Sequence, residues 1–260
     1  MAEGDVGWLG LAASLLLIAV TLGLSLWRRL GLERDIVEAT VRALVQLLAV
    51  GYVLTVVIDP DQPLVLAAAW VTAMVLFAAW TVARRAPEIP GAFRLALPAL
   101  ATSTIVTLLT IFGLGIFPLE ARTLVPLGGM MIGNAMKDTV VAGRRIIGEL
   151  SDKRPEVEAR LALGQTWRDA SRPHVRAALR TAMISQIETT KAVGLVFLPG
   201  TMTGLVLAGV DPVDAVLVQA AIMFLILGAV VINVVVIGES LTRRLFTAEH
   251  QLIPLPRVAT

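Results

Sequence analysis

Between Gly7 and Trp27 the chain carries no charged residue. A helix of that length and character is long enough to cross the hydrocarbon core of a bilayer. Comparable stretches recur along the sequence, and they limit the fold more than any other feature. Apolar residues make up 57% of 260, roughly 148 positions, which matches seven helices of about 20 residues each. Charged residues are only 16%, below the roughly 25% of a soluble domain. The chain reads as a single all-α, polytopic membrane domain spanning residues 1–260. The first span does not resemble a cleaved signal peptide. Glu3 and Asp5 precede it and Arg28 and Arg29 follow it, the reverse of a signal peptide's charge order.

The second span has a core at Leu44–Ile58, approached by an amphipathic lead-in over residues 33–41. Asp59-Pro60-Asp61 ends it. The third is expected over Pro63–Val82, the fourth over Leu95–Phe117 and the fifth over Thr123–Ala142. A polar stretch, 144–180, follows. The sixth covers Ala182–Ala208, interrupted at Leu198-Pro199-Gly200, and the seventh Asp214–Ile237.

The basic residues orient this ladder. With the N-terminus outside, the cytoplasmic segments receive all of the 22 Lys and Arg except Arg42, Arg122, Lys137 and Lys191. Of these four only Arg122 falls in an external loop. That satisfies the positive-inside rule and predicts seven helices, N-terminus out and C-terminus in the cytoplasm, in the plasma (inner) membrane.

Residues 144–180 are too few to fold around a core of their own. They read as two or three short helices. Pro155 suits a first helical turn, and Gly164 ends a helix running from Glu156 to Leu163. Thr166 caps the next turn, with Asp169 at capping-box spacing. Trp167 and Ala170 then share one face, and Pro173 starts a basic helix through Arg176 and Arg180. Two readings stand: a solvated basic linker, or a docking element for a soluble partner. Glu158-Ala159 followed by Gly164 resembles the short loop by which ABC importer permeases seat in their ATPase.

Ionisable side chains at membrane depth are costly and face a bundle interior or water. Gln186, Glu188 and Lys191 in span six, and Asn134, Lys137 and Asp138 in span five, are of this kind. Glu188 and Lys191 can equally pair with each other at i,i+3. Asn134 and Asp138 share a helix face. A broken helix at Pro199-Gly200, with Met202 beyond it, fits a transport path. Gly129 and Gly133 form a GxxxG-type packing face.

Several chemistries are absent. There is no cysteine, hence no disulfide or thiolate metal site. There is no phosphate-binding loop, and therefore no ATPase in this chain. No catalytic nucleophile or metalloprotease motif occurs. Only two histidines are present, so any metal cargo would meet carboxylate, amide, carbonyl or thioether groups. The metal ligands, if any, are not identified by the sequence.

The run from Lys191 to Gly204, KAVGLVFLPGTMTG, resembles the signature of FetB-type ABC transporter permeases. The likeness continues through Ala208-Gly209-Val210-Asp211-Pro212, Gln219 and Met223. It includes Gly129-Met130, Gly133-Asn134-Ala135-Met136, Leu161-Ala162-Leu163-Gly164, Glu33-Arg34-Asp35-Ile36, Gln46-Leu47 and His250-Gln251-Leu252. It covers nearly the whole chain. Lys137 and Asp138 depart from the pattern. The resemblance implies a permease that dimerises and works with a separate FetA-type ATPase, which hydrolyses the ATP. This chain would bind no cofactor and no nucleic acid. Bacterial members are linked to iron export, and plant relatives to aluminium tolerance with a nucleotide sugar proposed as cargo. Asn134, Asp138, Gln186, Glu188, Lys191, Pro199, Gly200 and Met202 would then contribute to the path. Glu158, Gly164, Trp167, Asp169 and Ala170 would couple it to the ATPase. The alternatives are an ATPase-independent channel or secondary carrier, or an ABC exporter of an organic cargo such as a nucleotide sugar.

Overall fold

The computed structural model describes residues 8–195 and 197–255. Gly7, Val196 and Arg257 lie outside them, as does the side chain of Trp8. The described residues form nine α-helices: α1 (Trp8–Arg28), α2 (Glu33–Val57), α3 (Leu64–Arg85), α4 (Ala92–Gly113), α5 (Ala121–Asp152), α6 (Arg154–Ala162), α7 (Trp167–Ala192), α8 (Gly200–Leu207) and α9 (Pro212–Arg244). The chain divides into two compact units, residues 1–62 and 63–260.

In the first unit, α1 and α2 pack together. Ser25 Oγ donates to Glu33 Oε1 at 2.6 Å and holds the turn between them. The expected lead-in at 33–41 runs into the second span without a break: α2 is one helix throughout. Only 6% of the apolar window of each helix is buried, so almost all of that surface remains available for lipid or protein.

In the second unit, α9 is the central rod. It packs against α4, α5, α7 and α8, while α5 packs against α3, α4, α6, α7 and α9. Ile146, Ile147, Leu150, Val230, Ile237 and Leu241 are fully or almost fully buried between them. Small residues set the close approaches. A Cβ at Gly143 would strike Ile89, and one at Gly128 would come within 3.2 Å of Val71 Cγ2. One at Gly238 would likewise come within 2.9 Å of Leu179 Cδ1, while of the expected Gly129–Gly133 face one at Gly129 would meet Met74 at 3.7 Å and one at Gly133 would have nothing within 4 Å among the described residues.

Among the described residues, five helices are long and apolar enough to cross a membrane: α1 from Gly10, α2, α3, α4 and α9. The expected fifth and sixth spans correspond to α5 and to the α7–α8 pair, which carry more charge. At 1.5 Å per residue, the 32 residues of α5 and 33 of α9 extend about 48 and 50 Å. Both exceed the roughly 30 Å of a hydrocarbon core.

The basic helix ends meet at one end of the second unit. Arg144 on α5 pairs with Glu88 and donates to the Arg85 carbonyl in the α3–α4 turn. Arg244 at the end of α9 lies against Gly91, whose φ of +67° opens α4. Arg122 sits at the other end of α5, beside Glu120.

The polar stretch 144–180 differs from its expected form. Its first part is the end of α5, and its last part is the beginning of α7. Only α6 is a short helix. Pro173 does not start a helix but is the seventh residue of α7. It removes the one bond that would reach back to the Asp169 carbonyl, a loss a long and well-packed helix absorbs.

Candidate functional site

Two features of the second unit combine exposed or polar side chains with unusual backbone. The first is the turn between α6 and α7. Leu163 and Gly164 end α6, with Gly164 at φ +84°, a backbone conformation that favours glycine. Thr166 then caps α7: its Oγ1 accepts from the Asp169 N–H at 3.3 Å and donates to Asp169 Oδ2 at 2.7 Å.

The turn is braced from behind by the C-terminal tail. Phe246 and Leu252 form a β-bridge, which folds the tail back beneath α7. The Trp167 ring lies 5.9 Å from that of Phe246. Arg154 on α6 donates to the carbonyls of Leu252 and Ile253 at 3.1 and 3.3 Å. At the α6–α7 contact, Glu156 comes within 3.7 Å of buried His174.

The five expected coupling residues fare differently here. Glu158 is exposed and pairs with Arg154 at 2.6 Å. Gly164 and Asp169 shape the turn. Trp167 is half-buried against Phe246. Ala170 is fully buried and has no surface to offer a partner. The sequence reading missed Leu163, which is 83% exposed at the tip of the turn. An aliphatic residue beside a helix-ending glycine was the available signal.

The second feature is the interruption after α7. Helical structure stops at Ala192 and resumes at Gly200. Gly194 takes φ +87° and its N–H donates to the Phe197 carbonyl at 3.0 Å. The interruption therefore begins before the expected break at Leu198-Pro199-Gly200, already at residues 193–195. Pro199, at ψ 147°, is the N-cap of α8, and Gly200 is its first residue. Met202 is half-buried in the first turn. Leu195 is 93% exposed.

Glu188 and Lys191 pair with each other at 2.9 Å on an exposed face. Gln186 is buried on the same helix. On α5 the Asn134 amide donates to its own helix at Met130 O, 2.8 Å away, and Asp138 is buried one turn on. Among the described residues no hydrogen bond or ion pair joins this α5 pair to Gln186, Glu188 or Lys191. Instead, α5 reaches α9 through a polar contact the sequence reading did not single out. Asn233, fully buried, donates to Thr139 Oγ1 at 2.6 Å and to the Ala135 carbonyl at 3.2 Å. A lone asparagine within Val-Val-Ile-Asn-Val-Val-Val was its signal. Among the described residues no three His, Asp or Glu side chains gather to hold a metal.

The model of the uncharacterised protein family UPF0014 matches residues 8–246. The chain belongs to this family. The UPF0014 membrane protein YjkA of Bacillus subtilis is 36% identical over 245 residues, covering 94% of this chain and 98% of its own. The probable iron export permease protein FetB of Escherichia coli is 33% identical over 251 residues, 94% of this chain and 93% of its own. The UPF0014 membrane protein STAR2 of Oryza sativa subsp. japonica is 34% identical, covering 95% and 86%. No solved structure matches the chain with significance. The FetB-type resemblance carried by residues 191–204 thus extends along the chain. As a UPF0014 protein with several helices able to cross a bilayer, it is a multi-pass membrane protein.

Proposed function

We propose that the chain is the membrane-spanning permease subunit of an ATP-binding cassette transporter that exports a metal ion, iron being the cargo named in its Escherichia coli relative. In this reading it makes seven passes in the plasma (inner) membrane: α1, α2, α3, α4, α5, the α7–α8 pair and α9. The basic end faces the cytoplasm, with the N-terminus outside. A separate ATPase of the FetA type hydrolyses ATP, and this chain binds no cofactor. Two copies form the path, in keeping with the unburied apolar surface of α1 and α2.

The observation that carries the reading is Leu163. A leucine exposed at 83% at the tip of the α6–α7 turn offers apolar surface that a partner's groove would remove from water. The turn that presents it is held by a cap, a glycine and the returning tail, so motion imposed on Leu163 passes to α7.

The test uses the full chain with the candidate ATPase in sealed vesicles. Iron flux is expected only when chain, ATPase and ATP are all present. Leu163→Asp is expected to abolish capture of the ATPase while the chain's thermal unfolding is unchanged. Flux without ATPase would replace the reading with an autonomous channel or carrier. ATP-driven flux of a nucleotide sugar without iron would keep the machine and change the cargo.

A further inference from the structure

Between α7 and α9 runs an open groove of about 870 Å³. One rim is a ladder of arginines, Arg168, Arg172, Arg176 and Arg180, at four-residue spacing on α7. That spacing sets them one above another along one face, about 6 Å apart. Arg168 is paired with Glu239 and lies over the Trp167 ring. Among the described residues Arg172, Arg176 and Arg180 have no carboxylate partner, and all three are exposed. The groove's two carboxylates are already engaged: Glu239 by Arg168 and Asp169 by Thr166.

Past Arg180 the groove changes character within one turn. Its floor there is Met183 and Leu179 of α7 with Val231, Val234 and Val235 of α9. Val231 and Val235 are 42% and 56% exposed. Unpaired guanidinium groups therefore lead directly into uncovered aliphatic surface. Guanidinium binds phosphate oxygens in a two-pronged fashion, and basic clefts between membrane helices hold anionic headgroups. A free phosphate would fill the ladder and leave the valines bare. The floor valines belong to α9, which is long and apolar enough to cross a membrane, so an acyl chain reaches them where a soluble protein would not.

We propose that this groove is a binding site for an anionic phospholipid. The phosphate sits across Arg172 and Arg176, Arg180 lies at the headgroup–acyl boundary, and an acyl chain covers Val231 and Val235. The site is distinct from the Leu163 turn, and the binding assay needs no transport.

The experiment is native mass spectrometry of the full chain from neutral detergent. Dioleoylphosphatidylglycerol, dioleoylphosphatidylcholine and inorganic phosphate serve as probes. The chain is expected to retain the glycerol lipid over the choline lipid. The double variant Arg172→Gln, Arg176→Gln should lower phosphatidylglycerol affinity about thirtyfold. Arg172→Lys with Arg176→Lys should lose less. Val235→Trp, which removes no charge, should also weaken phosphatidylglycerol. The paired control Arg84→Gln, Arg85→Gln should leave it unchanged. Unchanged affinity in the Arg172/Arg176 variant, or an equal loss in the control, overturns the proposal. So does inorganic phosphate that competes fully while Val235→Trp has no effect.

Discussion

The backbone N–H of Trp167, the first residue of α7, donates to Nδ1 of His250, 3.1 Å away. A helix leaves its first N–H groups without internal partners. Here one of them is satisfied by the returning C-terminal tail. The contact ties the tail to the α6–α7 turn and gives a use to a histidine held at φ +63°.

His250→Ala removes that acceptor at a cost of about 1 kcal/mol. Amide exchange across 160–172 is expected to quicken about fivefold, with the rest of α7 unaffected. Hydrogen-exchange mass spectrometry reads this directly. Unchanged exchange in that peptide would mean the tail does not steady the turn.

Asn233→Leu is expected to unfold within about 2 kcal/mol of the parent, because an apolar residue of similar volume offsets the lost bonds to α5. Asn233→Asp places a carboxylate at a position with no exposure and is expected to cost several kcal/mol. Thermal unfolding in detergent separates the two. Equal midpoints would reveal water at the α5–α9 contact.

Gly143→Ala drives a methyl group into Ile89, which is 2% exposed and has little room to yield. The expected loss is about 1–3 kcal/mol. Gly133→Ala meets nothing and is expected to be neutral or slightly stabilising through helix propensity. The unfolding midpoints of the two variants should therefore move apart, and a larger loss at Gly133 would point to packing by a second copy.

Glu188 and Lys191 form an exposed pair, and such pairs contribute less than about 1 kcal/mol. Lys191→Gln should leave the unfolding midpoint within a degree or two. If the pair lines the path, flux should still fall about tenfold, and the exchanged pair Glu188→Lys, Lys191→Glu should restore part of it. Full flux in Lys191→Gln would remove the pair from the path.

Local chemistry was legible where it acts locally. The cap at Thr166 and the stop at Gly164 depend on a few neighbouring residues and appeared as expected. Span positions followed from apolar runs to within a few residues for α1, α3 and α4, while α9 runs seven residues beyond its expected end at Ile237. Three features were not legible. Pro173 looked like a fresh helix start because proline is welcome in a first turn, although the Thr166 cap already marked the true start at Trp167. Leu198-Pro199-Gly200 drew attention from Gly194, whose positive φ begins the interruption. The burial of Ala170 comes from tertiary packing around α7, so short-range pattern could not reveal it.

α7 was expected as two pieces, a loop segment and a span. It is one helix of 26 residues from Trp167 to Ala192, about 39 Å of continuous rod. A stiff rod passes on a push; it does not dissipate it. Displacement of the Thr166 turn would therefore emerge at the far end, beyond Ala192, where α7 stops. In the proposed reading, the stretch that resembles the family signature would lie at the far end of that rod, where the push arrives.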